Sequence, residues 1–352
     1  MESLRMSVGV QMSRWQEKRV LITGATGFIG SWLTEILLTK GAKITALIKK
    51  DDLLIASLRH ILNRIEPFYG DIRDQKVTDK AVENQDVIFH LAATTQVTYA
   101  MKNPIETFEV NVSGTLNLLE SIRKKNPSAF LIYTSTDKVY GEPRYLPIDE
   151  EHPLSARSPY DASKLGADRL VNSYVVTYGI DASIARWSNT IGGRDSNILR
   201  AAPGFVTSIL DGRPPTIRGD GRHIRDYMYV TDAVGGIICL AENRELTRGD
   251  VFNFGTGVGT SVVELANMIV NLMGCEGRLK PVIVGARTLG EIDRQYLSAK
   301  KANELLKWRP EVDLKSGLAK TIKWYIDNPW WRAVMNESNR SKGMGPLTGS
   351  EA

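Results

Sequence analysis

Short apolar runs alternate with amphipathic stretches through the first half of the chain. Val20-Leu21-Ile22-Thr23 leads into glycines and then a helical pattern that reaches Lys40. Residues 44–48, 67–69, 86–89 and 129–134 read as four further strands. An amphipathic stretch at 104–125 and a second at 160–178 read as long helices, the latter followed by a strand at 182–186. Strand–helix alternation at this spacing predicts an α/β fold, a Rossmann-type doubly wound parallel sheet with helices on both faces. Beyond Thr190, Gly192-Gly193, Pro203-Gly204 and Pro214-Pro215 break the chain into shorter elements. These predict a smaller C-terminal α/β lobe with returns to the main sheet. The expected divisions are a flexible segment at 1–17, the sheet domain at 18–188, the smaller lobe at 189–331, and a flexible tail at 332–352, rich in Ser, Gly, Asn and charge.

Composition narrows the class. The chain has 352 residues, 42% hydrophobic and 24% charged, ordinary values for a soluble globular protein of about two lobes. Two cysteines exclude a disulfide framework and a cysteine-based zinc cluster, and four scattered histidines offer no metal-ligand spacing, so no metal is expected. A net charge of +5 is too small and too interspersed for a nucleic-acid-binding surface. No apolar run reaches the ~18 residues of a membrane span, and residues 1–17 lack the apolar centre of a signal peptide. A cytoplasmic setting is expected.

The first chemistry lies after the first strand. Val20-Leu21-Ile22-Thr23-Gly24-Ala25-Thr26-Gly27-Phe28-Ile29-Gly30 places a glycine turn between a strand and a helix. Gly24 permits the turn, Gly27 admits a pyrophosphate to the backbone, and Gly30 allows close helix–strand packing, with the helix N-terminus facing the phosphates. The second strand ends at Ile48, where an acid for ribose hydroxyls is absent and Lys49-Lys50 offers a cation for a 2′-phosphate. The cofactor expected is NAD(P), with NADP slightly favoured. Further on, Tyr160 and Lys164 stand four apart on one predicted helix and share a face. An ammonium beside a phenol, with the charge of an oxidised nicotinamide, favours phenolate, which can take a proton from a hydroxyl as hydride leaves its carbon.

The spacing Gly24-x2-Gly27-x2-Gly30 resembles that of the extended short-chain dehydrogenase/reductase superfamily. Four other stretches resemble it in order: Gly70-Asp71-Ile72-Arg73-Asp74, His90-Leu91-Ala92-Ala93, Asn111-Val112-Ser113-Gly114-Thr115, and Tyr160-Asp161-Ala162-Ser163-Lys164. The resemblance covers roughly residues 18–328. It implies a cofactor site at Gly24, Thr26, Gly27, Phe28, Ile29, Gly30, Lys49, Asp71, Ile72, Leu91, Ala92, Ala93, Asn111, Tyr160 and Lys164. In the family, the residue at Asp71 holds the adenine, and Leu91–Ala93 line the cofactor. His90 reads as a packing residue.

The segment Ser135-Thr136-Asp137-Lys138 looks like the signature of nucleotide-sugar 4,6-dehydratases, in the lysine form of CDP-glucose 4,6-dehydratase. The stretch 185–195 resembles that subfamily's Ala-Arg-x-x-Asn-x-Ile-Gly-Gly-Gly-Asp, with Arg194 in place of a glycine. The reaction implied is C4 oxidation of a nucleotide-diphosphate hexose, loss of water across C5–C6, and hydride return to C6. Thr136 would orient the C4 oxygen, Tyr160 act on it, Asp137 protonate the C6 hydroxyl and Lys138 take the C5 proton. The working pair must then be neutral lysine and protonated aspartic acid, a state a dry pocket favours. Asn189, Thr216, Arg218, Arg225 and Arg294 are the expected substrate contacts. Two alternatives remain: a 4-epimerase or decarboxylase of the same family, and a non-catalytic NAD(P)-sensing regulator. The resemblance also implies a homodimer through a four-helix bundle near 104–125 and 160–178, with Leu165 and Leu170 as candidates for that face.

Overall fold

The computed structural model describes residues 13–285 and 291–343 of the chain. Residues 1–12 and 344–352, which hold most of the expected flexible ends, lie outside the described residues.

Six strands form in the first half: β1 (Arg19–Thr23), β2 (Lys43–Ile48), β3 (Glu66–Tyr69), β4 (Val87–His90), β5 (Phe130–Thr134) and β6 (Ala182–Trp187). The second half adds β7 (Asn189–Ile191), β8 (Thr216–Ile217), β9 (Ile224–Arg225), β10 (Tyr227–Tyr229), β11 (Val251–Phe254), β12 (Thr260–Ser261), β13 (Val282–Ile283) and β14 (Arg294–Gln295). The main sheet runs β11-β6-β5-β4-β1-β2-β3 with every pair parallel. This is the Rossmann-type doubly wound sheet that the alternation predicts. The small strands of the second half form the other lobe, and β11 is its return to the main sheet.

Strand periodicity explains the two helix layers. Val20 and Ile22 of β1, Phe89 of β4 and Ile132 of β5 pack into one core, while Leu21, Ile88 and Leu131 pack into another on the opposite face. Successive side chains point to opposite faces, so runs that are apolar at every position must be covered twice. Strand order reverses between β1 and β4, and in open α/β sheets the carboxyl ends at such a point form the binding crevice. Thr23, His90 and Thr134 end their strands there.

Two elements differ from expectation. The helix expected at 104–125 forms as Pro104–Phe108 and Gly114–Lys125 joined by a π turn, Glu109–Ser113. The tail expected to fray from 332 instead begins with a helix, Trp331–Arg340, whose Trp331, Met335 and Asn339 are buried. Those three positions repeat every four residues on one face, and Trp331 joins an edge-to-face cluster with Trp324 and Trp330. At the other end, Trp15 of the expected flexible segment is buried, with its indole N–H donating to Glu242.

Candidate active site

At Gly24 the chain leaves β1 in a left-handed conformation, φ +73°. A Cβ there would lie 2.7 Å from the backbone nitrogen of Ala92, and one at Gly30 would overlap the carbonyl oxygen of Gly24. Only glycines let this turn lie against the end of β4 and the start of the Phe28–Thr39 helix. Bare backbone at the N-terminus of a 12-residue helix is the donor set a pyrophosphate requires, so the residues present fit a dinucleotide. Thr26 is buried and its hydroxyl donates to Asp52, 2.6 Å away. Thr23 fixes the facing loop, its carbonyl accepting from Leu91 and its hydroxyl from the Ala92 amide. Phe28 packs on the core, whereas Ile29 lines the cavity described below.

Other expected cofactor positions have structural tasks. Ile72 is buried, and a Cβ on Gly114 would collide with it. Asp71 accepts two bonds from the Arg73 guanidinium and one from its main-chain amide, and Lys49, well exposed, stands 3.9 Å from the same carboxylate. Asn111 is engaged within the protein. Its amide accepts from the Thr94 amide at 2.7 Å and donates to the Thr94 carbonyl and the Ser163 hydroxyl. With both ends engaged inside the protein, it clamps the loop after β4 to the Tyr160 helix. His90 bridges Thr23 and Thr115 and is pushed down to about 3 by burial, aided by the Lys164 charge, which agrees with a packing role.

The Pro159–Tyr178 helix is set by a capping box between Ser158 and Asp161 and ends at Gly179 in a left-handed C-cap. That start places Tyr160 in the first turn and Lys164 one turn on. Lys164 is buried, donates to the Thr134 carbonyl at 2.6 Å and lies over the Tyr133 ring. Burial pushes its pKa down to about 7 against the opposing charge of Asp168. Burial likewise pushes the Tyr160 phenol up to about 12, while Arg200 and the Thr136 hydroxyl act in the opposite direction. On balance burial, with the Asp161 and Asp137 carboxylates, opposes phenolate more than Arg200 and Thr136 favour it, and a further positive partner at the phenol would act against that.

After β5, Thr136 caps a 3-10 turn, Asp137–Tyr140, by accepting from the Lys138 amide. The Asp137 carboxylate is buried, accepts from the Thr136 hydroxyl at 3.1 Å and pairs with Lys138 at 3.2 Å. Both side chains line one cavity of about 640 Å³ together with Thr136 and Tyr160. Burial lowers the Lys138 pKa, opposed first by Asp137, which is the direction a neutral amine requires.

The remaining cavity wall comes from the smaller lobe. Asn189, Thr216, Arg218 and Arg225 line it. Arg218 donates to the Leu199 carbonyl at 2.7 Å, and Arg225 stands 3.7 Å from Glu291. Arg294 does not line it. β14 has the two-residue strand period, so exposed Arg294 points out and its neighbour Gln295 points in. Gln295 is fully buried and holds both members of the Asp137–Lys138 pair. Arg200, paired with Asp195 at 3.1 Å, supplies another cation to the cavity, and the buried Ser188 hydroxyl on its wall has no hydrogen-bond partner among the described residues. No motif marks Arg200 in the sequence, Ser188 falls at an unspecified position of the 185–195 stretch, and Gln295 stands beside the expected Arg294. Asn253 is structural, donating to the Ile148 carbonyl and accepting from Tyr140. Arg194, at the family's glycine position, keeps a left-handed φ of +68° and is held by Glu35 and the Trp32 ring. Among the described residues, no cluster of three His, Cys, Asp or Glu can hold a metal ion, and no helix is long and apolar enough to cross a membrane.

This fold and this constellation define an extended short-chain dehydrogenase/reductase. The chain belongs to the GDP-mannose 4,6 dehydratase family, whose model matches residues 21–321. It is 35% identical over 315 residues to a putative UDP-glucose 4-epimerase of Methanocaldococcus jannaschii, covering 88% of this chain and 99% of that protein. It is 31% identical over 320 residues to UDP-glucuronic acid decarboxylase 1 of Xenopus tropicalis, covering 89% of this chain and 73% of that one. The dTDP-glucose 4,6-dehydratase DesIV of Streptomyces venezuelae, solved with NAD bound, superposes with a TM-score of 0.83 at 30% identity, covering 90% of this chain and 99% of that one.

Proposed function

We propose that the protein is a nucleotide-diphosphate hexose 4,6-dehydratase, yielding a 4-keto-6-deoxy sugar. The observation that carries this reading is the pair of buried Asp137 and half-buried Lys138 in the same cavity as Tyr160 and Thr136. An epimerase needs one acid–base group at C4, whereas a dehydratase needs two more, one at the C5 proton and one at the C6 hydroxyl.

A bound dinucleotide supplies the hydride acceptor at C4 and the donor at C6. The chain's own residues supply the protons. Thr136 orients the C4 oxygen and Tyr160 takes its proton. The resulting ketone acidifies C5–H, whose proton passes to the neutral Lys138 amine. Asp137, protonated, gives its proton to the C6 hydroxyl, which leaves as water, and Lys138 returns its proton to C5 when C6 takes up the hydride. Arg200, Arg218 and Arg225 set the positive wall for the substrate diphosphate, with Asn189 and Thr216 beside them. Lys164 would hold the nicotinamide ribose.

NAD or NADP fits the glycine turn, and the absence of an acid at the end of β2 supports the phosphorylated form. A homodimer is supported by Ile105 on the short Pro104–Phe108 helix and Val176 on the Pro159–Tyr178 helix, each more than three-quarters exposed. Leu165 and Leu170 pack instead on the core.

The test is incubation with CDP-, GDP-, UDP- and dTDP-hexoses, read by the mass loss of one water. An isomeric product of unchanged mass points to the epimerase. Asp137→Asn should leave oxidation of the sugar intact and stop water loss. Product formation by this variant at a near wild-type rate removes Asp137 from the mechanism.

A further inference from the structure

Gln295 touches both members of the pair assigned to the elimination, yet it enters from the other lobe. Its strand, β14, lies parallel to β9 with Gln295 opposite Arg225, and the Gln295 carbonyl accepts from the Asp226 amide at 3.1 Å. The side chain is fully buried. Its amide nitrogen donates to the Asp137 main-chain carbonyl at 2.7 Å, and its amide oxygen accepts from the Lys138 side-chain nitrogen. These two partners fix the amide's orientation, because a carbonyl only accepts and a lysine nitrogen here donates.

Counting the directions around the Lys138 nitrogen gives the consequence. One N–H points to the Asp137 carboxylate at 3.2 Å and one to the Gln295 oxygen. The carbon stem takes a third direction, so a single tetrahedral direction is left, and Lys138 lines the cavity. An ammonium would place its third hydrogen there. A neutral amine, with two hydrogens only, would place its lone pair there. An amide oxygen at this position takes up an N–H without adding a negative charge. The charged groups around Lys138 are Asp137 on its own turn, Asp161 on the Pro159–Tyr178 helix and Arg225 on β9.

Resting on the dehydratase reading above, we propose that Gln295 is a positioning residue for elimination: with Asp137 it engages both hydrogens of the neutral Lys138 amine and so turns the lone pair toward the C5 proton of the substrate. Neutrality of the residue is part of the device. A carboxylate there would make the same contact while holding Lys138 as ammonium, which has no lone pair to offer.

The experiment compares wild type, Gln295→Glu and Gln295→Met as full-length holoenzyme. Three quantities are read: the single-turnover rate of C4 oxidation from cofactor absorbance, the rate of water loss by mass, and the pH midpoint for labelling of Lys138 by a small amine-reactive reagent, located by peptide mass. In Gln295→Glu the labelling midpoint should rise by at least one pH unit, and the acid limb of water loss should rise with it, at unchanged C4 oxidation. In Gln295→Met, which keeps the shape and removes both bonds, water loss should fall at least tenfold at unchanged substrate KM. A folded Gln295→Glu protein with an unshifted midpoint, or Gln295→Met eliminating water at the wild-type rate, overturns this inference alone. A wild-type protein that dehydrates none of the nucleotide hexoses overturns the dehydratase reading and the positioning role with it.

Discussion

Replacing Lys164 by methionine tests how strongly the fold opposes the charge it carries at its centre. Lys164 is buried, and its pKa falls from the usual ~10.4 to about 7. At ~1.4 kcal/mol per pH unit, that difference makes the ammonium cost about 4–5 kcal/mol of folding free energy at low pH. The sign follows from linkage. Between pH 7 and about 10 the unfolded chain binds more protons at this residue than the folded chain, so wild-type stability from this group rises with pH. Below pH 7 the full cost is present. Lys164→Met has no such group, so its stability relative to wild type should be greatest at pH 6 and should shrink by ~1.4 kcal/mol per unit above pH 7. The loss of the bond to the Thr134 carbonyl offsets the gap by a constant amount and leaves the slope unchanged. Urea midpoints of both cofactor-free proteins, taken from pH 6 to pH 9 by fluorescence, give the comparison. A gap that stays flat with pH would refute the idea that burial governs this lysine.

Two more outcomes follow from contacts in the same region. Asp168 and Arg186 form a buried bidentate pair at 2.8 and 2.9 Å, so Asp168→Asn, which strips the charge from one partner, should cost roughly 3–5 kcal/mol by thermal denaturation. Lys49→Ala should weaken NADPH binding at least fivefold in fluorescence titration and leave NADH nearly unchanged; equal losses for both would mean that Lys49 does not meet a 2′-phosphate.

The elements nearest the glycine turn were the most legible from sequence. β1, the turn and the Phe28–Thr39 helix are contiguous, so one run of residues carries both their periodicity and their chemistry. Tyr160 and Lys164 were legible for the same reason, being one helical turn apart. The cavity's far wall was not. Arg200 and Ser188 share a cavity with Asp137 and Tyr160, and Gln295 bonds to Asp137, across many residues of chain, and no local pattern encodes that meeting. Charge and the family resemblance point to Arg294 for phosphate, whereas the strand period decides which neighbour faces inward. The Trp331–Arg340 helix was hidden by its polar composition, although the four-residue repeat of Trp331, Met335 and Asn339 was there to be read.

The π turn at Glu109–Ser113 amounts to one residue more than an α-helix would hold over the same rise. It lets Asn111 face the Tyr160 helix while Leu118, Leu119 and Ile122, farther along, still face the sheet. Removing any one residue from that turn would rotate one half of the rod against the other by about 100°, the angular step of a single α-helical residue. Either the clamp or the greasy stripe would then look the wrong way. The length of this segment is thus under tighter constraint than the identity of most side chains on it, and insertions or deletions there should be the rarest changes that the scaffold tolerates.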